Sequence, residues 1–448
     1  MSDTILVGAA EARITPPVGT ELAGYFTTRV SEGVFSELMA KAVVAGPRPE
    51  SGQSDDRVAI VVCDVICMPA ELVARVRAIV SEALGMDPAR IMVCATHTHT
   101  GPEMRGGAGR IIARNEQWYG GLADLIAGAV IEAAANARPA HMWMGREDER
   151  GLAYNRRFRL RDGQELFGPG ADASLVAGVA GPTDPEMGVI KFSEQPNADP
   201  FALIVNYTVH IDVTGGNLIS ADFPAVMTEV LRGVYGPDTI VLFTQGASGN
   251  INHVPYMLDR PWPGKGLDKS RQLGRAFGGK ALCIAEKALP GTDSSVDAIQ
   301  TILQVPNYPI DDVVRDALEQ ARALPPERRD SVQKRLLELI DEYDPDARHS
   351  REVQTIRLGD AVFCSVPGEY FVEWGLEIKR WSPHPYTFIA ELANDQVGYI
   401  PTWEAFRRGG YGTTPIVSVT SSPALGQMIA DAHFVMLQQL WQRREATA

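Results

Sequence analysis

The alternation of short apolar runs with helical patterns is what most limits the folds open to this chain. Runs at Val58 to Val62, Ile91 to Ala95, Ala202 to Tyr207, Ile240 to Phe243 and Val362 to Val366 read as buried strands. Between them, apolar residues recur at helical spacing over Ala70 to Leu84, Tyr119 to Ala137, Pro224 to Val234 and Ser270 to Ala288. This alternation predicts α/β architecture, with a mixed or mostly parallel sheet flanked by helices. At 448 residues, 45% of them hydrophobic and 22% charged, the chain has material for a large core, and its length suits one large domain or two smaller ones, of which a single domain over 1–448 is the expectation.

Polar residues gather where the strands should end, which is where open α/β sheets place ligands and chemistry. Cys94-Ala95-Thr96-His97-Thr98-His99-Thr100-Gly101-Pro102 sets two of the chain's 8 histidines just beyond an apolar run. On a strand, His97 and His99 would project to the same face. Neutral imidazole suits zinc, and a lone His-x-His supplies at most two of the three protein ligands of a hydrolytic zinc. The bland alternative is a hydrogen-bonded pair at a strand end. A second run, Val205-Asn206-Tyr207-Thr208-Val209-His210-Ile211-Asp212, repeats the design, although alone His210 would read as a satisfied core histidine.

With four further segments in order, these residues resemble the neutral, non-lysosomal ceramidase family of zinc amidases. Val7 to Gly19 is similar to that family's first strand and Thr-Pro-Pro turn, and Ala95 to Pro102 to its Thr-His-Thr-His-Ser-Gly-Pro signature, with Thr100 in the serine place. Tyr154-Asn155-Arg156-Arg157 matches its Asn-Arg element in part. Val366-Pro367-Gly368-Glu369-Tyr370-Phe371 resembles its Pro-Gly-Glu-Phe segment, and Leu392 to Asp395 with Gly398-Tyr399 its Ala-Asn-Asp-x-x-Gly-Tyr segment. The chain is identified as a divergent member of the N-terminal catalytic domain, without the family's C-terminal domain.

The resemblance implies zinc held by His97, His210, Glu369 and Tyr411, with His99 and Arg156 as the catalytic pair. Two imidazoles and a carboxylate leave zinc an open position for water, and a phenol can act as a weaker fourth partner. His99 could move a proton or support an oxyanion, and Arg156 could supply a permanent charge to that oxyanion or to a substrate carboxylate. Bland readings stand beside these. Glu369 could simply favour the first turn of a helix, Tyr411 could be a surface residue of a Gly-rich loop, and Asn155 to Arg161 alternates like a strand with a basic outer face. The family's active-site serine falls on Asn252, and an amide cannot replace a serine nucleophile, so the expected chemistry relies on metal-activated water. Asp64, Ser248, Asn250, Asn252, His253 and Asn394 are expected to bind substrate or to support the metal ligands.

A net charge of -14 argues against nucleic acid or an anionic membrane as main partner. No run approaches a membrane-spanning length, the N-terminus lacks signal-peptide features, and Cys63, Cys67, Cys94, Cys283 and Cys364 read as reduced core thiols, so the expected compartment is the cytoplasm. Residues 309–346 pattern as a helical hairpin inserted into the domain, broken at Pro325-Pro326. It reads as a packing or homo-oligomer element, with a lid over the site as the sharper alternative. The expected activity is hydrolysis of an amide C–N bond in a small polar or moderately amphiphilic N-acyl substrate. Ceramide itself, an ester or lactone, a metal-dependent lyase or isomerase, and a non-catalytic paralogue are the alternatives.

Overall fold

The computed structural model describes residues 4–48, 55–106, 112–168, 173–257 and 264–447. Two sheets pack face to face, and each carries helices on its outer face. The larger sheet runs, from one edge to the other, through Ile240–Gln245, Ala202–Tyr207, Glu186–Ser193, Arg138–Asp148, Ile5–Arg13, Met39–Gly46, Val58–Cys63 and Ile91–Ala95, with Leu289–Pro290 also paired to Arg138–Asp148. Only the two edge pairs are parallel. The pairs between them are antiparallel, so the sheet is mixed and the mostly parallel alternative is wrong. The reason lies in direct strand-to-strand connections at the centre, where no helical pattern intervenes to carry a parallel crossover.

Burial on both faces explains the near-continuous apolar strands. From the right half of the larger sheet, Val43, Ile60, Met92 and Cys94 point toward the second sheet, while Val44, Val61, Val93 and Ala95 point toward helices Ala70–Leu84 and Leu122–Ala135. The left half packs its outer face on Phe223–Tyr235 and Leu267–Glu286. The second sheet, Val296–Pro306, Arg348–Leu358, Ala361–Ser365 and Tyr386–Ala390, faces the first through Ile356, Leu358, Phe363 and Phe388. Its outer face is covered by Val372–Trp381 and Leu425–Thr447.

Helices Asp312–Ala323 and Ser331–Ile340 occupy the segment with the hairpin pattern, and Asp330 and Gln333 form a capping box at the start of the second. Cys63, Cys67, Cys94 and Cys364 are buried thiols, but Cys283 is exposed on its helix, against the reading of all five as core residues. No helix among the described residues is long and apolar enough to cross a membrane.

Candidate metal centre and its cavity

The strand that should carry the two histidines stops at Ala95. His97 follows in a left-handed backbone conformation, φ 71°, which a non-glycine residue adopts at a cost of about 1–3 kcal/mol. The same-face argument therefore fails, because turn geometry and not strand alternation brings His97 and His99 together. The His97 amide donates to the Val65 carbonyl and the His99 amide to Ile211, so the turn is sewn to the ends of neighbouring strands. Ile211 adjoins His210, and that second bond brings the two histidine segments side by side.

The three imidazoles converge on one point. His97 Nε2 lies 3.0 Å from His210 Nε2 and 3.2 Å from His99 Nε2. One nitrogen from each ring lies within 4.8 Å of the others, a group that could hold a metal ion. His97 Nδ1–H donates to the Ile66 carbonyl at 2.7 Å, and His210 Nδ1–H to the Ser248 carbonyl at 3.4 Å. Each donor fixes the tautomer with a bare Nε2. Two lone pairs 3.0 Å apart repel unless a cation or a proton sits between them. Tetrahedral zinc places its nitrogen ligands about 3.3 Å apart, so this spacing fits an ion.

Glu369 supplies a carboxylate to the same point. It lies in the short strand Glu369–Tyr370, which pairs with Tyr399–Ile400 beyond the end of Ala361–Ser365. Its Oε2 is 3.6 Å from His97 Nε2 and 3.8 Å from His210 Nε2, and it is buried without a hydrogen-bond partner. An orphaned buried carboxylate oxygen beside two bare imidazole nitrogens has the chemistry of a donor set that could take a cation. Burial works to raise the Glu369 carboxyl, but the His97 imidazole, the Tyr399 hydroxyl and the Arg156 charge together hold it below the usual range. Burial also pushes His99 down to about 3 and His210 well below the usual histidine range, so both stay neutral as ligands or proton acceptors must.

Arg156 and Arg157 are both buried, which overturns the strand with a basic outer face: the strand breaks between Tyr154–Asn155 and Arg157–Leu160. Arg156 donates to the Gly249 carbonyl at 2.7 Å and to the Tyr399 hydroxyl at 3.2 Å, beneath the rings of Phe167, Tyr399 and Tyr411. Tyr411 is 36% exposed and lines the cavity, with its hydroxyl 3.4 Å from that of Tyr399. Burial, together with the Glu369 charge beside it, pushes the Tyr399 hydroxyl well above the usual tyrosine range.

Other expected site residues sit further out. Asp64 accepts from the Met39 amide, so Ile66 rather than Asp64 orients His97. Ser248 supports His210 through its carbonyl, and its amide and hydroxyl both bond the buried Glu391. Asn250 joins the Val372 amide to Glu373 around a second cavity, and Asn252 bonds Tyr256 and the Val254 amide. His253 bonds the Gly264 carbonyl. Asn394, at φ 64°, ties the Val93 amide to Glu352 and Gln354. None of Asn250, Asn252, His253 and Asn394 lines the cavity at the cluster. Gly249 explains the tight fit of this loop, since a Cβ there would stand 2.5 Å from the Glu369 carbonyl oxygen.

The cluster opens into a cavity of ≈ 260 Å³. It is lined by His97, His99 and Glu369 at the cluster, by the aromatic rings of Tyr25, Phe26, Tyr399 and Tyr411, by the buried Glu103 and, at its more exposed rim, by Arg105, Val332 and Arg335. Tyr25, Asp212, Tyr399 and Glu391 escaped sequence reasoning. Asp212 and Tyr399 lay inside motifs that the sequence marks, whereas Tyr25 and Glu391 carry no local signal.

Scans against protein-family models and against curated proteins gave no match. Among solved structures, the neutral ceramidase from Pseudomonas aeruginosa superposes with a TM-score of 0.75 at 18% identity, over 99% of this chain and 75% of that one. A ceramidase complexed with C2 gives a TM-score of 0.73 at 17% identity, over 99% and 76%. From end to end the chain therefore has the fold of the neutral ceramidases, and at the level of fold the resemblance carried by its motifs holds.

Proposed function

We propose that this protein is a zinc-dependent amidohydrolase acting on a small polar or moderately amphiphilic N-acyl substrate. The observation that carries this reading is the meeting of two carbonyl-fixed imidazoles, His97 and His210, with the orphaned carboxylate oxygen of Glu369. These three residues would hold the ion, with Tyr411 as the outer fourth partner. When bound, zinc supplies a Lewis acid and an acidified water at neutral pH.

The chain's own groups do the rest. His99 is the imidazole of the cluster that no backbone carbonyl ties at Nδ1, and its Nε2 faces the same point, so it is suited to take a proton from water and return it to the leaving amine. Tyr399, backed by Arg156, presents a polarised hydroxyl beside Glu369 where a tetrahedral oxyanion would develop. A cavity of ≈ 260 Å³ is small for a ligand site, where about 300–1,000 Å³ is usual, and this supports a compact substrate over a two-chain ceramide. The hairpin helix Ser331–Ile340 places Val332 and Arg335 on the rim, which supports its reading as a lid. A single domain over 1–448, a cytoplasmic location and self-association through the hairpin's outer face complete the proposal.

The test is product analysis on N-acyl amides of increasing acyl length, with and without chelator. One carboxylate and one amine released per bond, fastest for short acyl groups and abolished by chelator, is the expected result. Uptake of no water, or no product from any amide, overturns it.

A further inference from the structure

Beside His99 lies a compact polar unit that the cluster itself does not require. The Asp212 Oδ1 accepts from the Tyr25 hydroxyl, and Oδ2 takes the ammonium of Lys265, which also reaches the Tyr25 hydroxyl at 2.7 Å. Tyr25 is packed between two cations, with Arg29 4.1 Å and Lys265 4.5 Å from its ring centre, and its own edge meets His99 at 5.8 Å. The same short segment grips His99 from behind. Arg29 donates to the His99 carbonyl at 2.6 Å, and Gly24, at φ +97°, lies so close that a Cβ there would stand 2.7 Å from the imidazole.

Within this grip His99 Nδ1 is buried, lacks a hydrogen-bond partner, and faces Asp212 Oδ1 at 3.9 Å. A movement of about 1 Å makes that approach a hydrogen bond. Of the three imidazoles, His99 alone turns its Nδ1 to a carboxylate, where His97 and His210 turn theirs to backbone carbonyls. We infer that Asp212, braced by Tyr25 and Lys265, is the positioning residue that keeps the proton of neutral His99 on Nδ1 and leaves Nε2 bare toward the cavity. This rests on His99 having the proton-transfer role proposed above. A carboxylate so placed fixes the orientation of the ring as well as its tautomer.

The test uses the full chain labelled with ¹⁵N at histidine, with the His99 ring signals assigned by their loss in His99→Gln. In the wild type His99 should be protonated at Nδ1, and in Asp212→Ala the two tautomers should mix. The same variant should lower kcat for amide cleavage by about 10- to 100-fold, with KM and bound metal within twofold of wild type. Tyr25→Phe keeps the carboxylate and removes one brace, so it should shift the tautomer signal partway, and it carries the test if Asp212→Ala does not fold. His99 protonated at Nε2 in the wild type, or a tautomer unchanged in both variants, overturns the inference. Loss of metal in Asp212→Ala with His99 signals intact also overturns it. A wild type that shows the Nδ1 tautomer but cleaves no amide instead defeats the proposed function and leaves Asp212's role standing.

Discussion

His97 Nε2 and His210 Nε2 stand 3.0 Å apart, although 113 residues separate them in the chain. Each residue follows an apolar strand, and the two strands lie toward opposite edges of the larger sheet. They meet because the loops beyond those strands fold toward the end of the second sheet, where Glu369 completes the group. Packing of the two sheets thus builds the centre, and the ends of strands supply it.

Close packing behind Glu369 should make Gly249 intolerant of a side chain. Gly249→Ala would press its Cβ to 2.5 Å from the Glu369 carbonyl oxygen. A loss of about 1–3 kcal/mol in unfolding free energy, with metal affinity at least ~10-fold weaker, is expected from this overpacking. Denaturant titration and metal competition measure both; an unchanged affinity would show that Glu369 is not held by this contact.

Tyr399 accepts from Arg156 and stands beside Glu369, so Tyr399→Phe removes an acceptor from a buried guanidinium and a hydroxyl from the neighbourhood of a buried carboxylate. Activity should fall about 10- to 100-fold while the fold survives. Steady-state kinetics beside a thermal melt would separate the two effects.

Val332 and Arg335 reach the rim from the hairpin. Filling that rim with Val332→Trp should raise KM for longer acyl chains by ~10-fold or more and leave the shortest substrate nearly unaffected. A uniform change across chain lengths would remove the hairpin from substrate selection.

His433 offers a pH test remote from the cluster. It is fully buried, bonded to Thr355 and to the Ser365 carbonyl, and burial pushes it from 6.5 down to about 4. Its neutral form is the folded form. Its contribution is therefore complete above pH 6.5 and is lost as pH falls through about 4, by about 3 kcal/mol in the acid limit. Unfolding free energies across that window should fall less steeply in His433→Gln than in the wild type.

The fold was legible where local pattern decides structure. Ala70–Leu84, Phe223–Tyr235 and Leu267–Glu286 lie within a few residues of their periodic runs, because an amphipathic helix writes its buried face at a fixed spacing. Strand direction was not, since an apolar strand buried on both faces reads the same in parallel and antiparallel sheets. At the site, residues inside strand-end motifs, such as His97, His210 and Glu369, could be found. Tyr25 and Glu391 could not, because their partners, Asp212 and Ser248, are distant in the chain and only tertiary packing joins them. Asn394 shows the opposite error: a motif residue whose amide secures the Ile91–Ala95 strand instead of facing the cavity.

The most direct measurement is elemental analysis of the purified wild type beside His97→Ala and Glu369→Ala, with amide cleavage assayed on the same samples. One zinc per chain in the wild type, lost from both variants together with activity, is the predicted result. A wild type that takes up no metal even after reconstitution, or a Glu369→Ala that keeps both metal and activity, would contradict the metal centre.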